Sequence, residues 1–123
     1  MSSDRLDAFL DEKYLNLETY RNDGEAITTP VWFVVDNGII YVTTPSTTGK
    51  IKRLNQNKSV RIVPSDLKGR PKGDWIDATA YFANKSESEQ AMKLRKKKYG
   101  LMAKLVGIAV YRKGTPVVVG IKV

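Results

Sequence analysis

The chain has 123 residues, one domain's length, with ordinary hydrophobic (41%) and charged (28%) fractions. It contains no cysteine and no histidine, which excludes disulfides, thiolate metal sites, cysteine nucleophiles, serine–histidine triads and imidazole proton shuttles. Its net charge of +8 favours anionic partners, be they nucleic acid, an anionic membrane surface or a phosphate-bearing cofactor. With those side chains missing, transfer chemistry falls to a bound cofactor. No apolar run approaches the roughly 20 residues that span a bilayer. The N-terminus is too polar for a secretory signal, so a cytoplasmic protein is expected.

Residues 4–13 place Leu6, Phe9 and Leu10 at helical spacing behind Asp4 and predict a short amphipathic helix. The period then changes to two over Leu15–Tyr20, a first strand. Asn22-Asp23-Gly24 is a turn. Ala26–Val35 reads as one long strand, rich in Thr, Val, Trp and Phe. Asp36-Asn37-Gly38 is a hairpin signal, because Asn-Gly accepts the positive φ angles of a type I′ turn, and Ile39–Thr43 follows as its second arm. A short helix with Ile51 and Leu54 inward ends at Asn57.

Ser59–Pro64 is the next strand. A basic turn-rich loop over residues 66–73 leads into a strand from Asp74 to Ala83, headed by Trp75. Ser86 and Glu89 are spaced as a capping box. The helix behind them carries Ala91, Leu94 and the run Lys93, Arg95, Lys96, Lys97, Lys98, and Gly100 is placed to break it. A further helical segment over 101–106 and strands over 108–111 and 116–123 complete the chain. Short antiparallel strands with few helices predict a mainly β protein with peripheral helices, its edges protected by closure into a small barrel.

The segment Thr43–Leu54, TTPSTTGKIKRL, combines hydroxyls, a glycine and three cations in front of a helix. Helix N-termini offer free N–H groups and a positive dipole end, and hydroxyls and lysines bind oxyanions. The spacing is not that of a P-loop, and the alternative is a Ser/Thr loop with solvated lysines. Helical geometry puts Lys50 at the margin of the buried face, with Lys52 and Arg53 pointing away from it. Pro30, inside a strand, marks an edge or interruption where backbone groups are free to meet a flat ligand, with Trp32 beside it. Trp75 lines a pocket or packs internally. The Lys/Arg run reads as a solvated helix face, with nucleic-acid contact the less favoured reading. Asp74 and Asp77 fall on opposite strand faces, and no carboxylate pair suited to acid–base catalysis emerges.

In order along the chain, T-Y-R-x-D-G, T-P-V-W-F, D-N-G, Y-V-T-T, G-K-x-K-R-L, V-R-I-x-P and G-x-P-x-G-x-W resemble the pyridoxamine 5′-phosphate oxidase-like split β-barrel family, in its deazaflavin-dependent, FMN-binding branch. The resemblance runs from about residue 12 to the C-terminus and weakens after residue 84. It implies a six-stranded antiparallel split β-barrel that pairs as a homodimer, with two sites for coenzyme F-420 or FMN at the subunit interface. It implies an oxidoreductase that passes a hydride to a small conjugated acceptor, with no catalytic side chain or metal required. The alternative is a carrier or sensor of the same cofactor.

By the same resemblance the ring rests against Thr28, Thr29, Pro30, Val31 and Trp32. The phosphate end is held by Lys50, with Thr44, Ser46, Lys52 and Arg53 in support. Trp75 and Arg112 match positions that complete the site from the partner chain. The Ser-Arg-Lys phosphate motif of the oxidase itself is replaced here by Thr48-Gly49-Lys50, so pyridoxamine-phosphate oxidation is not expected. Tyr41 and Tyr81 are candidate proton donors.

Overall fold

The computed structural model describes residues 6–100 and 115–123. The chain forms β1 (Tyr14–Tyr20), β2 (Ala26–Val31), β3 (Val34–Asp36), β4 (Ile39–Pro45), helix α1 (Gly49–Gln56), β5 (Ser59–Ser65), β6 (Ile76–Phe82), helix α2 (Lys85–Tyr99) and β7 (Pro116–Lys122). The seven strands make one antiparallel sheet in the order β2-β1-β5-β6-β7-β4-β3. Its two edge strands, β2 and β3, are consecutive in sequence and separated only by Trp32 and Phe33. Three peptide steps span at most about 11 Å. The sheet must therefore curl until its opposite edges meet at this connection.

Alternation sorts the side chains. Leu15, Leu17 and Thr19 of β1 point inward with Val60 and Ile62 of β5, Ile40 and Val42 of β4, and Val119 and Ile121 of β7. Ile51 and Leu54 of α1 enter this main core from one end, as the sequence predicts, and Phe9 and Phe33 meet edge to face with ring centroids 5.9 Å apart. α2 packs on the outside of the sheet, where Ala91 joins Val34, Tyr41 and Val118 in a smaller core.

Several boundaries differ from the sequence reading. In place of an N-terminal amphipathic helix, the described residues show a single 3-10 turn, Asp7–Phe9, which buries Leu6 and Phe9 and leaves Leu10 exposed. Ala26–Val35 is two strands, broken at Trp32-Phe33 where the chain crosses from one edge to the other. β6 starts at Ile76, one residue after Trp75. The capping box is formed by Asn84 and Glu87, two residues before the predicted Ser86 and Glu89: the Glu87 amide donates to Asn84 Oδ1 at 2.8 Å, and the Asn84 amide donates to Glu87 Oε1 at 3.3 Å. The Asn37-Gly38 hairpin (φ 53° and 79°) and the stop at Gly100 (φ 59°) are as expected. The expected segments over 101–106 and 108–111, and Asp4, lie outside the described residues. The count of seven strands differs from the six implied by the family resemblance.

Candidate functional site

α1 begins at Gly49, and its N-cap residue is Thr48. A threonine there would ordinarily accept a bond from an amide of the first turn. Here it does not: Thr48 Oγ1 donates to the Pro45 carbonyl at 3.0 Å and lies 3.0 Å from the hydroxyl of buried Thr44. The two threonines and Pro45 fix the entry of the chain into α1, and the first N–H groups of the helix keep their positive end free of a side-chain cap. Ser46 is exposed, its amide bound to the Thr115 carbonyl at 2.8 Å.

Two cations fold toward the inner face of the sheet from this helix. Lys50 is half-buried, and its Nζ donates to Thr29 Oγ1 at 3.3 Å. Thr29 stands inward because it pairs with Leu17. Burial, and then the neighbouring charge of Arg53, push the Lys50 ammonium below its usual range. Arg53 Nε donates to the hydroxyl of fully buried Thr19 at 2.6 Å. Its Nη1 lies 2.8 Å from the point a Cβ on residue 49 would occupy, so the absence of a side chain at Gly49 leaves room for the guanidinium. Burial and the charge of Arg21 lower its acidity constant also. Neither cation is ion-paired among the described residues. Two partly desolvated cations without a counter-charge, beside an uncapped helix N-terminus, form a site that favours an oxyanion.

The Thr28–Trp32 segment divides between faces. Thr29 and Val31 point inward; Thr28 and Pro30 point outward, Thr28 toward Glu18 at 3.4 Å and Pro30 against Gly69. Among the described residues β2 pairs only with β1, so its other edge leaves backbone groups unpaired. Trp32 stacks on Tyr99 of α2, with ring centroids 4.2 Å apart and planes 5° from parallel, and the Arg95 guanidinium lies 5.3 Å from its ring. It is thus committed to packing on at least one face. Lys98 Nζ donates to the Phe33 carbonyl at 3.0 Å. The basic run of α2 is therefore not uniformly solvated: Lys93, Lys96 and Lys97 are exposed, while Arg95 and Lys98 hold the β2–β3 connection.

Trp75 sits apart from Lys50. It shares the outer face with Arg61, whose guanidinium lies 5.0 Å from the ring. Arg61 in turn belongs to a row running Thr28–Glu18–Arg61–Asp77 across four strands. Glu18, for which the sequence offers no partner, accepts from Tyr20 OH at 2.8 Å and faces Arg61 at 3.7 Å. Asp66 likewise organises its own loop, accepting from the amides of Lys68 and Arg70. Tyr41 and Tyr81 lie under α2 on the outer face, and both hydroxyls donate to Glu87, at 2.8 and 2.5 Å. Burial and Glu87 hold both phenols protonated, and their bonds in turn hold Glu87 ionised.

Lys50, Arg53, Thr29 and Thr44 thus come together at one end of the inner face; Trp75, Tyr41 and Tyr81 do not join them. Lys52 is exposed and lines a separate cleft with Arg53. Arg112 lies outside the described residues. Sequence reasoning missed Thr19. The period-two pattern carried its signal: a hydroxyl at an inward position, in line with Leu15 and Leu17.

The fold is that of the pyridoxamine 5′-phosphate oxidase-like split-barrel proteins. Among solved structures the chain is similar to HutZ, the heme storage protein of Vibrio cholerae, with a TM-score of 0.73 and 15% identity over 98% of this chain and 87% of that one. It is similar also to a candidate pyridoxamine 5′-phosphate oxidase of Listeria innocua, with a TM-score of 0.70 and 15% identity over 98% and 90% of the two chains. A NimC/NimA family protein of Clostridium acetobutylicum gives 0.65 and 19% over 97% and 80%. No protein-family model matches the sequence, and no curated protein is similar to it by sequence. Among the described residues no helix is long and apolar enough to cross a membrane.

Proposed function

We propose that the protein is an oxidoreductase that holds coenzyme F-420 or FMN and serves a small conjugated acceptor. The observation that carries this reading is the pair Lys50 and Arg53, partly buried and without a carboxylate partner, at the uncapped start of α1. The residues fit the phosphate end of such a cofactor: Lys50 and Arg53 supply charge and the first turn of α1 supplies N–H donors, with Thr29 and Thr44 beside them. The unpaired edge of β2 offers backbone groups to the rim of a flat ring. When bound, the cofactor supplies the hydride chemistry; the chain binds, orients and excludes water. A second copy of the chain completes the site, with Trp75 and Arg112 as the residues it contributes.

A carrier without turnover is the second reading, favoured by one placement. The phenols that could give a proton, Tyr41 and Tyr81, are turned to Glu87 on the other face of the sheet. The test is a titration with FMN and with F-420 followed by visible absorbance. One of the two is expected to saturate the protein, and Lys50→Ala to weaken it by roughly 1–3 kcal/mol. Failure of both to bind below millimolar concentration overturns the proposal; binding without reduction of any enone, quinone or tetrapyrrole acceptor selects the carrier.

A further inference from the structure

The far side of α1 carries a second basic surface. A cleft of about 390 Å³ is lined by Arg21, Asn22 and Asp23 of the β1–β2 turn and by Lys52, Arg53 and Gln56 of α1. Neither Lys50 nor Thr29 lines it, so it is a different place from the site described above. Its size falls in the lower range of small-molecule pockets, but none of its six side chains is apolar, which calls for a strongly polar occupant.

The charges are arranged to match. Arg21 and Arg53 are close enough for the charge of Arg21 to bear on Arg53. The carboxylates nearby are committed elsewhere or weakly engaged: Asp23 Oδ1 accepts the Glu25 amide at 2.9 Å, and Glu25 meets Arg21 only at 3.9 Å between well-exposed side chains. Arg53 is not free to relax into solvent, because Thr19 holds its Nε from inside the sheet. Lys52 has no ion pair among the described residues. Three cations thus face one cleft, two of them on the opposite wall from the third. A singly charged ion would leave most of their mutual repulsion in place. A group that spreads several negative oxygens across the gap would meet both walls, with the forked donors of Arg21 and Arg53 suited to such oxygens and the Asn22 and Gln56 amides able to bond its remaining polar atoms.

We infer that the cleft between the β1–β2 turn and α1 is a binding site for a small molecule bearing a diphosphate group, gripped by Arg21 on one wall and Lys52 and Arg53 on the other. The inference does not depend on the cofactor reading, since it uses residues that Lys50 and Thr29 do not touch.

The experiment is an NMR titration of the full chain with sodium pyrophosphate, against sodium chloride at matched ionic strength. Saturable amide shifts are expected at Asn22, Asp23, Lys52 and Gln56 with pyrophosphate and not with chloride. Arg21→Ala and Lys52→Ala, both substitutions of surface side chains, should each raise the apparent Kd by about fivefold or more while leaving the far-ultraviolet circular dichroism unchanged. The inference is overturned if the pyrophosphate shifts match those of chloride, if neither variant alters the Kd, or if Lys50→Ala is the substitution that removes binding, which would put the anion at the start of α1 instead.

Discussion

The ring of Tyr81 lies directly over Gly120, so close that a Cβ added to the glycine would overlap the phenol carbons and oxygen. The two are register partners across β6 and β7, and Tyr41 pairs with the same glycine from β4. The missing side chain lets both phenols reach Glu87 at the start of α2. Gly120 therefore sets how α2 is fastened to the sheet. Gly120→Ala should destabilise the protein by roughly 1–3 kcal/mol through overpacking, despite alanine's lower entropy cost in a strand. Urea unfolding checks this. A variant as stable as the parent would mean that the tyrosine moves freely.

The hydroxyl of Tyr99 is the hinge pin of the edge-to-edge connection. It accepts from the Phe33 amide at 3.0 Å and donates toward the Phe33 and Lys13 carbonyls at 2.9 and 2.7 Å. Tyr99→Phe keeps the stack on Trp32 and removes only these bonds. The Phe33 carbonyl retains Lys98, but the Phe33 amide loses its partner. A loss of roughly 1–3 kcal/mol is expected, with faster amide exchange at Phe33 as the local signature.

The same clamp gives stability a particular dependence on pH. Lys98 is exposed as a residue, yet its Nζ lies 3.7 Å from the Phe33 ring centroid, and burial of this group lowers its pKa to about 8 from 10.5. Between these values the unfolded chain binds more protons than the folded one, so stability should rise as pH goes from about 8 to 10.5. Tyr99 and Tyr20 act in the opposite sense: both are raised to about 12 from 10.0, chiefly by burial, so their contribution falls away above pH 10. A shallow maximum near pH 10 is the expected outcome. Given the exposure of Lys98, its share should be only roughly a few tenths of a kcal/mol. Urea midpoints at pH 7, 9, 10 and 11.5 test the shape, and Lys98→Met should flatten the rise between pH 8 and 10.

Most of the strand order was legible because turn chemistry and alternation are local signals. Asn37-Gly38 marked its hairpin, Pro30 marked an edge strand, and Ile51 and Leu54 marked the buried side of α1. What failed locally was decided at a distance. The break at Trp32-Phe33 follows from the sheet curling back on itself, with Tyr99 and Lys98 holding the crossing from 66 residues away. Asn16 breaks the alternation of β1 by being buried on the outer face, because the 66–73 loop folds over it and Gly69 O accepts its amide at 2.6 Å. The capping box shifted because Asn84…Glu87 and Ser86…Glu89 both satisfy the pattern, and the Glu87 carboxylate also serves Tyr41 and Tyr81. At the anion site the cations were visible in sequence, but their anchors, Thr19 and Thr29, lie on strands 34 and 21 residues away.

Gly49 offers the sharpest separation of binding from stability. A methyl group there would stand 2.8 Å from Arg53 Nη1. That atom is the tip of a flexible side chain, so the guanidinium swings aside and the backbone need not move. Alanine is the better helix former, by up to about 1 kcal/mol in a helix interior and less at a first position. Against this, displacement of Arg53 weakens its bond to the Thr19 hydroxyl, a loss of similar size. Gly49→Ala should therefore leave the unfolding free energy within about 1 kcal/mol of the parent. It should also weaken the cofactor bound at the start of α1 by roughly 1 kcal/mol or more, because the guanidinium no longer lies along the first turn. Paired urea unfolding and absorbance titration read the two quantities separately. Unchanged affinity with Arg53 displaced would take that arginine out of the site and leave the charge on Lys50 alone.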